Sequence, residues 1–289
     1  MPNTIALAKN YTSILDEVYM NASVTADLTS DNTMVRAGAN ANEIVYPQIA
    51  VSGLGDYSRN SGYTNGSVNL EWKTATFNYD RGTKISVDVM DNEETRDVAF
   101  TMAGSELMRT KVAPEADAFT FATLAGIEGI SKATPATYAD ATEFLSALIE
   151  AKNKMDEDEV PEEGRILYAT PTLLNGVMAL DTTKSREILA SFAVTKKVPQ
   201  SRFYTAIDLL SGRDGEEAGH FKKATAGKDI NFMIVHKPAV IKFDKHTASD
   251  IIPASMNADA DADISKYRKY GIVDVFKNKV AGIYLSHKA

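Results

Sequence analysis

The chain has 289 residues, no cysteine and a formal net charge of −8 at pH 7. The length suits one large domain or two small ones with a hydrophobic core, and the absence of cysteine excludes disulfides, thiolate nucleophiles and cysteine-bound zinc. The acidic balance argues against tight direct binding of nucleic acid, which usually requires a basic surplus. The N-terminus lacks a signal-peptide pattern, and no apolar stretch approaches the ~18–20 residues that span a bilayer.

Residues 1–45 are polar and weakly patterned. A short amphipathic helix is predicted around Tyr11 to Tyr19, and the polar residues after it indicate either an extended arm or a disordered tail. The glycine-rich stretch from Gly53 to Gly66 matches no phosphate-binding loop, because it lacks both the third glycine of a dinucleotide motif and a following Gly-Lys-Ser/Thr. We therefore expect turns near a surface there.

Alternating apolar residues predict a long β-hairpin over about 68–89. Val68, Leu70 and Trp72 alternate with polar residues, Asp80-Arg81-Gly82 is interpreted as the turn, and Ile85 to Val89 alternate on the far side. A two-stranded hairpin is only marginally stable alone in water. Since no neighbouring sequence is its obvious partner, the hairpin indicates contact with another subunit.

A long helix is predicted next, from the acidic residues at Asp91 to about Gly126. Pro114 falls in its middle, so the helix should be kinked there or split into two. A mixed α/β region follows, in which Val194 to Gly227 shows little pattern. Its predicted elements are helices at 141–155 and 172–180, and strands at 165–170, 230–236, 239–243, 270–276 and 280–285.

Catalytic and metal-binding signals are weak. The four histidines lack metal-ligand spacing, and no Gly-x-Ser-x-Gly elbow occurs. Asp259 to Asp263 resembles the start of a calcium loop, but Ile264 replaces the glycine that such a loop needs, which favours a solvated acidic loop. We expect no catalytic residue, no cofactor and no metal, and therefore no enzyme.

Several segments together resemble the major capsid proteins of tailed bacteriophages, in particular phages that infect Gram-positive bacteria. The resemblance extends loosely from about residue 40 to the C-terminus. The segments that carry it are Gly53 to Asn60, Gly62-Tyr63, Gly66, the Trp72 strand, Tyr79 to Gly82, Val87 to Thr95, Arg109 to Ala118, Tyr267 to Gly271 and Lys279 to Tyr284.

The resemblance implies an α+β protein with the Hong Kong 97 type capsid fold. The order of an arm, an unpartnered hairpin, a long helix and an α/β remainder agrees with that fold. The implied domains are an N-terminal arm (1–49), an extended β-hairpin loop (50–88), a peripheral domain with a long spine helix (89–130 plus about 245–280), an axial domain (131–244) and a C-terminal strand (281–289).

The implied function is self-assembly as hexamers and pentamers into an icosahedral shell that encloses double-stranded DNA with little direct binding. The resemblance also implies a portal protein. Because there is no room for a scaffolding segment before the hairpin, it implies either a separate scaffolding protein, which Met1 favours, or a chain that is already processed. The expected location is the virion, assembled in the host cytoplasm and without membrane contact. Candidate contacts between subunits are Tyr57, Arg59, Trp72, Phe77, Tyr79, Asp80, Arg81 and Asp88.

Three alternatives stay open from the sequence. An encapsulin-type compartment would share the fold but enclose cargo. A tail or other structural protein suits the long helix less well, and an unrecognised soluble α+β enzyme is the alternative from a different functional class.

Overall fold

The computed structural model describes residues 22–30, 36–37, 42–60, 62–94, 104–213 and 219–289. The helix predicted near Tyr11 lies outside these residues. The strands are, in chain order, β1 (Arg36–Ala37), β2 (Glu43–Val51), β3 (Val68–Thr76), β4 (Tyr79–Asp88), β5 (Ser131–Lys132), β6 (Arg165–Ala169), β7 (Val194–Lys197), β8 (Ile207–Leu209), β9 (Phe221–Lys223), β10 (Ile230–His236), β11 (Val240–Ile252), β12 (Ala262–Val275) and β13 (Ile283–His287). The α-helices are α1 (Val89–Glu94), α2 (Ala113–Gly126), α3 (Ala141–Glu157), α4 (Pro171–Leu180) and α5 (Thr183–Ala190).

A five-stranded sheet, in the order β5-β13-β10-β6-β7, forms the centre of the α/β half. Every residue of β6 and β10 is buried, because both faces of the sheet are covered. Successive side chains point to opposite faces, so Met233 and Val235 pack towards α2 while Phe232 and Ile234 pack towards α3 and α4. This arrangement explains why these strands are continuous apolar runs in the sequence.

The predicted helices and strands of this half are largely confirmed. Helix α3 begins after Asp140, whose carboxylate accepts hydrogen bonds from the backbone of Thr142 and Glu143. The short helix α5 was not predicted, and the strands β7 to β9 fall within Val194 to Gly227, where the sequence shows little hydrophobic pattern. The predicted strand at 280–285 is only partly correct, since Val280–Gly282 is a 3-10 turn and β13 begins at Ile283.

Pro114 neither splits nor ends the long helix. Helical residues 104–107 pass through a π-helical turn, Met108–Val112, directly into α2. The Ala113 N–H donates to the carbonyl of Met108, and this wider turn lets the helix continue through Pro114. The continuous run, 104–126, is called the spine helix below.

A second sheet, in the order β11-β12-β4, is built from three long antiparallel strands. It packs against the spine helix, and β4 is paired with β12 along its whole length from Tyr79 to Asp88. Gly82 lies inside β4, where an added Cβ would approach the carbonyl oxygen of Tyr267 to 2.8 Å. The glycine is therefore needed for close strand pairing rather than for a turn.

The predicted hairpin of 68–79 with 83–89 is wrong in its pairing. Strand β3 pairs with β2, from Val51↔Val68 to Glu43↔Thr76, and the glycine-rich stretch 52–67 is the loop between them. The alternation of apolar residues continues from β3 into β4, but the chain changes sheets at Asn78. The Asn78 side chain donates to the carbonyl of Val273 and accepts from its N–H.

Two further sheets are β1-β2-β3, which contains the β2–β3 hairpin, and the two-stranded β8-β9. The domain limits given by the resemblance remain a prediction. Over the described part of the chain, no helix combines the length and apolarity needed to cross a bilayer.

Candidate assembly surface

One face of the β2–β3 hairpin is apolar and exposed to solvent. Directly paired residues of an antiparallel hairpin share a face, so the pairs Ile49↔Leu70 and Val51↔Val68 lie side by side with Pro47↔Trp72. Leu70 is 52% exposed, Trp72 45% and Val68 72%. We call this face the apolar strip, and its members are Pro47, Ile49, Val51, Val68, Leu70 and Trp72.

The opposite face of the hairpin is polar near its outer end and buried at its base. Glu71 accepts hydrogen bonds from Asn69 and Lys73 in solvent. Towards the base, Ile44 and Tyr46 pack with residues of β11 and β12 and anchor the hairpin. The hairpin is therefore held by its own chain at one end, while the apolar strip faces away from that anchor.

The loop at the outer end of the hairpin adds exposed aromatic side chains. Tyr57 and Tyr63 have ring centroids 4.9 Å apart and are 61% and 88% exposed. Ser58 and Gly62 form a β-bridge that narrows the loop, and Arg59 lies exposed between them. Tyr57 and Arg59, both predicted from the sequence as contact residues, thus lie on the surface.

Phe77 and Tyr79 make their contacts within the chain. The Phe77 ring lies 4.8 Å from that of Tyr270, and the Nζ of Lys245 lies 5.0 Å from its centroid. Tyr79 is 5% exposed and packs its ring against Phe119 of the spine helix. Their role in contacts between subunits stays a prediction, to which the structure adds an internal packing role.

Arg81 joins three parts of the molecule. Its Nε lies 2.7 Å from the carboxylate of Glu115 on the spine helix, and its Nη2 donates to the carbonyls of Leu210 and His220. Burial by itself would raise the pKa of Glu115, but the neighbouring His220 ring and the donors Arg81 and Tyr79 outweigh it and hold that pKa below its usual value. The carboxylate is consequently ionised at neutral pH, and both of its oxygens accept hydrogen bonds.

Asp80 and Asp88, the two acidic candidates, lie on the exposed side of β4. Asp80 accepts two hydrogen bonds from Arg268 across the strand pair, and this contact lowers its pKa. Asp88 accepts a hydrogen bond from the backbone N–H of Met90 at the start of α1. Each carboxylate thus already has a local structural partner.

A cleft of about 530 Å³ lies beside the Arg81–Glu115 pair. Its acid, Glu115, is held by Arg81 and Tyr79, an arrangement that stabilises charge rather than one that transfers protons. Among the described residues, no group of three or more His, Asp or Glu side chains is arranged to hold a metal ion. The most distinctive surface is therefore the apolar strip.

Half of the apolar strip was missed from the sequence. The residues of β2, including Ile49 and Val51, fall in the predicted arm and at the start of the predicted hairpin loop, although 44–51 is rich in β-branched and aromatic residues. That composition, ending at the glycine-rich loop, is the signal for a strand in the sequence, although Pro47 weakens it.

Comparisons with solved structures find the same fold in capsids. The chain is similar to the structure titled Mycobacterium phage Che8 (13% identity, TM-score 0.59, 91% of this chain and 90% of that one). It is also similar to the capsid of the cyanophage P-SCSP1u (16% identity, TM-score 0.62, 93% of this chain and 88% of that one). A third similar structure is a virus-like particle from Pyrococcus furiosus (10% identity, TM-score 0.59, 97% of this chain and 99% of that one).

These similarities cover nearly the whole chain, and they show that it has the Hong Kong 97 type α+β fold that the sequence predicted. At such low identity the likeness shows the fold alone. No protein-family model matches the chain, and no curated protein matches it.

Proposed function

We propose that this chain is the major capsid protein of a tailed bacteriophage, a structural subunit that assembles with copies of itself into an icosahedral shell. The observation that carries the proposal is the apolar strip, which is exposed on a hairpin anchored to a capsid-type fold. Isolated exposed apolar residues need no explanation, but a contiguous strip is typical of an interaction surface.

The partner of the strip is a second copy of the chain. Strand β3 is also the outer strand of its three-stranded sheet among the described residues, so a neighbour that covers the strip would lie beside the edge of that sheet. Permanent interfaces bury roughly 2,000–5,000 Å². At about 25 cal/mol per Å², such burial offsets the entropy lost on association.

The shell would contain hexamers and pentamers of one sequence, which requires a firm body joined to an adaptable hairpin. The wholly buried sheet strands and the projecting β2–β3 hairpin supply that combination. Tyr57, Arg59 and Trp72 are proposed as contacts between subunits. Asp80, Arg81 and Asp88 bind β4 to Arg268, to the spine helix and to the start of α1, so their proposed contacts with a neighbour would be additional to these internal ones. A portal protein and a separate scaffolding protein would complete the particle within the host cytoplasm.

The net charge of −8 supports enclosure of DNA with little direct binding. The likeness to a virus-like particle keeps a cargo-holding shell as the second candidate. Particles isolated from their natural source distinguish the two, because a phage capsid contains genomic double-stranded DNA and a compartment contains protein cargo.

Paired variants on opposite faces of β3 test the proposal. Leu70→Ser/Trp72→Ser removes apolar surface from the strip, whereas the control Asn69→Ser/Glu71→Ser alters the polar face of the same strand. In sedimentation velocity, we expect large particles from the wild type and the control, and small folded species from the strip variant. Normal particles from the strip variant would contradict the proposal.

A further inference from the structure

Residues 23–30, called the clip below, are bound to the spine helix through the buried side chain of Asp117. The carboxylate of Asp117, on the spine helix, is fully buried. It accepts hydrogen bonds from the Ser23 hydroxyl at 2.7 Å, the Val24 N–H at 3.0 Å and both the N–H and hydroxyl of Thr25. Arg202 completes the set with an ion pair at 2.9 Å. One carboxylate therefore recognises three consecutive residues of the clip.

A second anchor is Lys242 on β11. Its Nζ donates to the carbonyl of Thr25 at 2.9 Å and to the Thr25 hydroxyl at 2.6 Å. The backbone N–H of Ser30 donates to the Lys242 carbonyl, while Leu28 is fully buried in the main core. The clip thus links the spine helix to β11, and its residue Thr25 is 217 residues from Lys242 in the sequence.

A third contact reaches the five-stranded sheet. Lys196 of β7 donates to the carbonyl of Val24 and forms an ion pair with Asp27 at 2.6 Å. The clip therefore touches both sheets and the helix between them. Removing it would expose polar groups that are buried at this junction, since Asp117 and Lys242 would each lose their clip partners.

The charge of Lys242 is poorly compensated. Among the described residues, no carboxylate lies within ion-pairing distance of its Nζ. The nearby acids are already paired, Asp117 with Arg202 and Asp244 with Lys269. Burying an ammonium group without its own counter-ion carries a large desolvation cost.

We propose that the clip is a detachable strap whose docking is coupled to the loss of a proton from Lys242. The docked clip removes water from the ammonium group, and undocking returns that water. Rising pH therefore tightens the strap and falling pH loosens it.

The charges around Lys242 agree with this direction. Burial lowers its pKa to about 8, with Asp117 and Asp244 opposing the change and Lys269 and Lys196 adding to it. In solvent the same group would titrate near the ordinary lysine value, so between these values the undocked state binds more protons and docking strengthens as pH rises. Tyr168, the other titratable group near Asp117 and Asp27, has a pKa raised by burial and stays neutral over this range.

Hydrogen–deuterium exchange of the full chain tests the strap. The readout is the protection factor of the peptide covering 23–30, corrected for the intrinsic pH dependence of exchange, with the β10 peptide as internal reference. From pH 7 to pH 9, we expect clip protection to rise about tenfold, because docking releases on average about half a proton across these two pH units. The reference peptide should not change.

Three variants separate the strap from other causes. Lys242→Gln removes the titration and should give protection that does not vary with pH, while the exposed-lysine control Lys228→Gln should keep the wild-type rise. Asp117→Asn should lower clip protection at every pH and keep a rise with pH, which should begin at lower pH because the Asp117 charge no longer raises the pKa of Lys242. Wild-type protection that stays flat or falls with pH would overturn the proposal, and so would an equal rise in Lys242→Gln. If that variant does not fold, the wild-type profile alone decides.

Discussion

Arg81 and Glu115 form a two-pronged ion pair that joins strand β4 to the spine helix, with Nε–Oε1 at 2.7 Å and Nη2–Oε2 at 3.3 Å. The preceding residue, Asp80, is also ion-paired, but its partner Arg268 lies at the surface. The Glu115 side chain is 9% exposed and that of Asp80 is 46% exposed. Adjacent residues of one strand thus offer a buried pair and an exposed pair for direct comparison.

Glu115→Ala should lower the free energy of unfolding by ~2–4 kcal/mol, because it leaves the Arg81 guanidinium largely buried without its carboxylate. Asp80→Ala should have a several-fold smaller effect, since solvent screens the exposed pair. Chemical denaturation at pH 7 measures both. Equal losses of unfolding free energy would show that burial does not determine how much the Arg81–Glu115 pair stabilises the fold.

The same carboxylate should make stability depend on acidity. The pKa of Glu115 is lower in the folded chain than in the unfolded one, so its contribution is complete above the unfolded value and is lost as pH falls through the folded value. The difference in unfolding free energy between wild type and Glu115→Gln should therefore shrink as pH falls from about 6 to 3. A difference that is constant over this range would contradict the assignment.

Gly82→Ala should destabilise the sheet by about 1–3 kcal/mol, because the new Cβ would press on the carbonyl oxygen of Tyr267 in the neighbouring strand. Gly53→Ala is the matched control, as its Cβ would meet no atom within 4 Å. Thermal unfolding of the two variants checks the prediction. Comparable midpoints would mean that β4 and β12 can separate at little cost.

These contacts show where the sequence was informative. Strands β6 and β10 were predicted correctly because burial on both faces leaves an unbroken apolar run. The pairing of β3 was not, because alternation shows which side of a strand is apolar and says nothing about which strand lies beside it. Asn78, which transfers the chain between sheets, has no pattern that distinguishes it from a loop residue.

The exposed apolar strip was predicted from the sequence only in part. Trp72 was identified because it is the single tryptophan on an alternating strand, and it does lie on the exposed strip. Its neighbours from β2 became evident only with the register. The internal partners of Tyr79 and Arg81 are distant in sequence, at Phe119 and Glu115, so spacing could not show them.

Assembly should change the fluorescence of the chain. Trp72 is the only tryptophan and is 45% exposed in the free subunit, so covering the apolar strip should move its emission to shorter wavelength. The shift should accompany particle growth measured by light scattering. Growth without any shift would place the contact surface elsewhere on the molecule.

Negative-stain electron microscopy of the purified chain is the most direct test of its assembly with copies of itself into a shell. We expect closed shells with icosahedral symmetry, formed by a chain whose fold is shared with phage capsids. A small monomer that persists across protein concentrations, salts and added scaffolding components would contradict it.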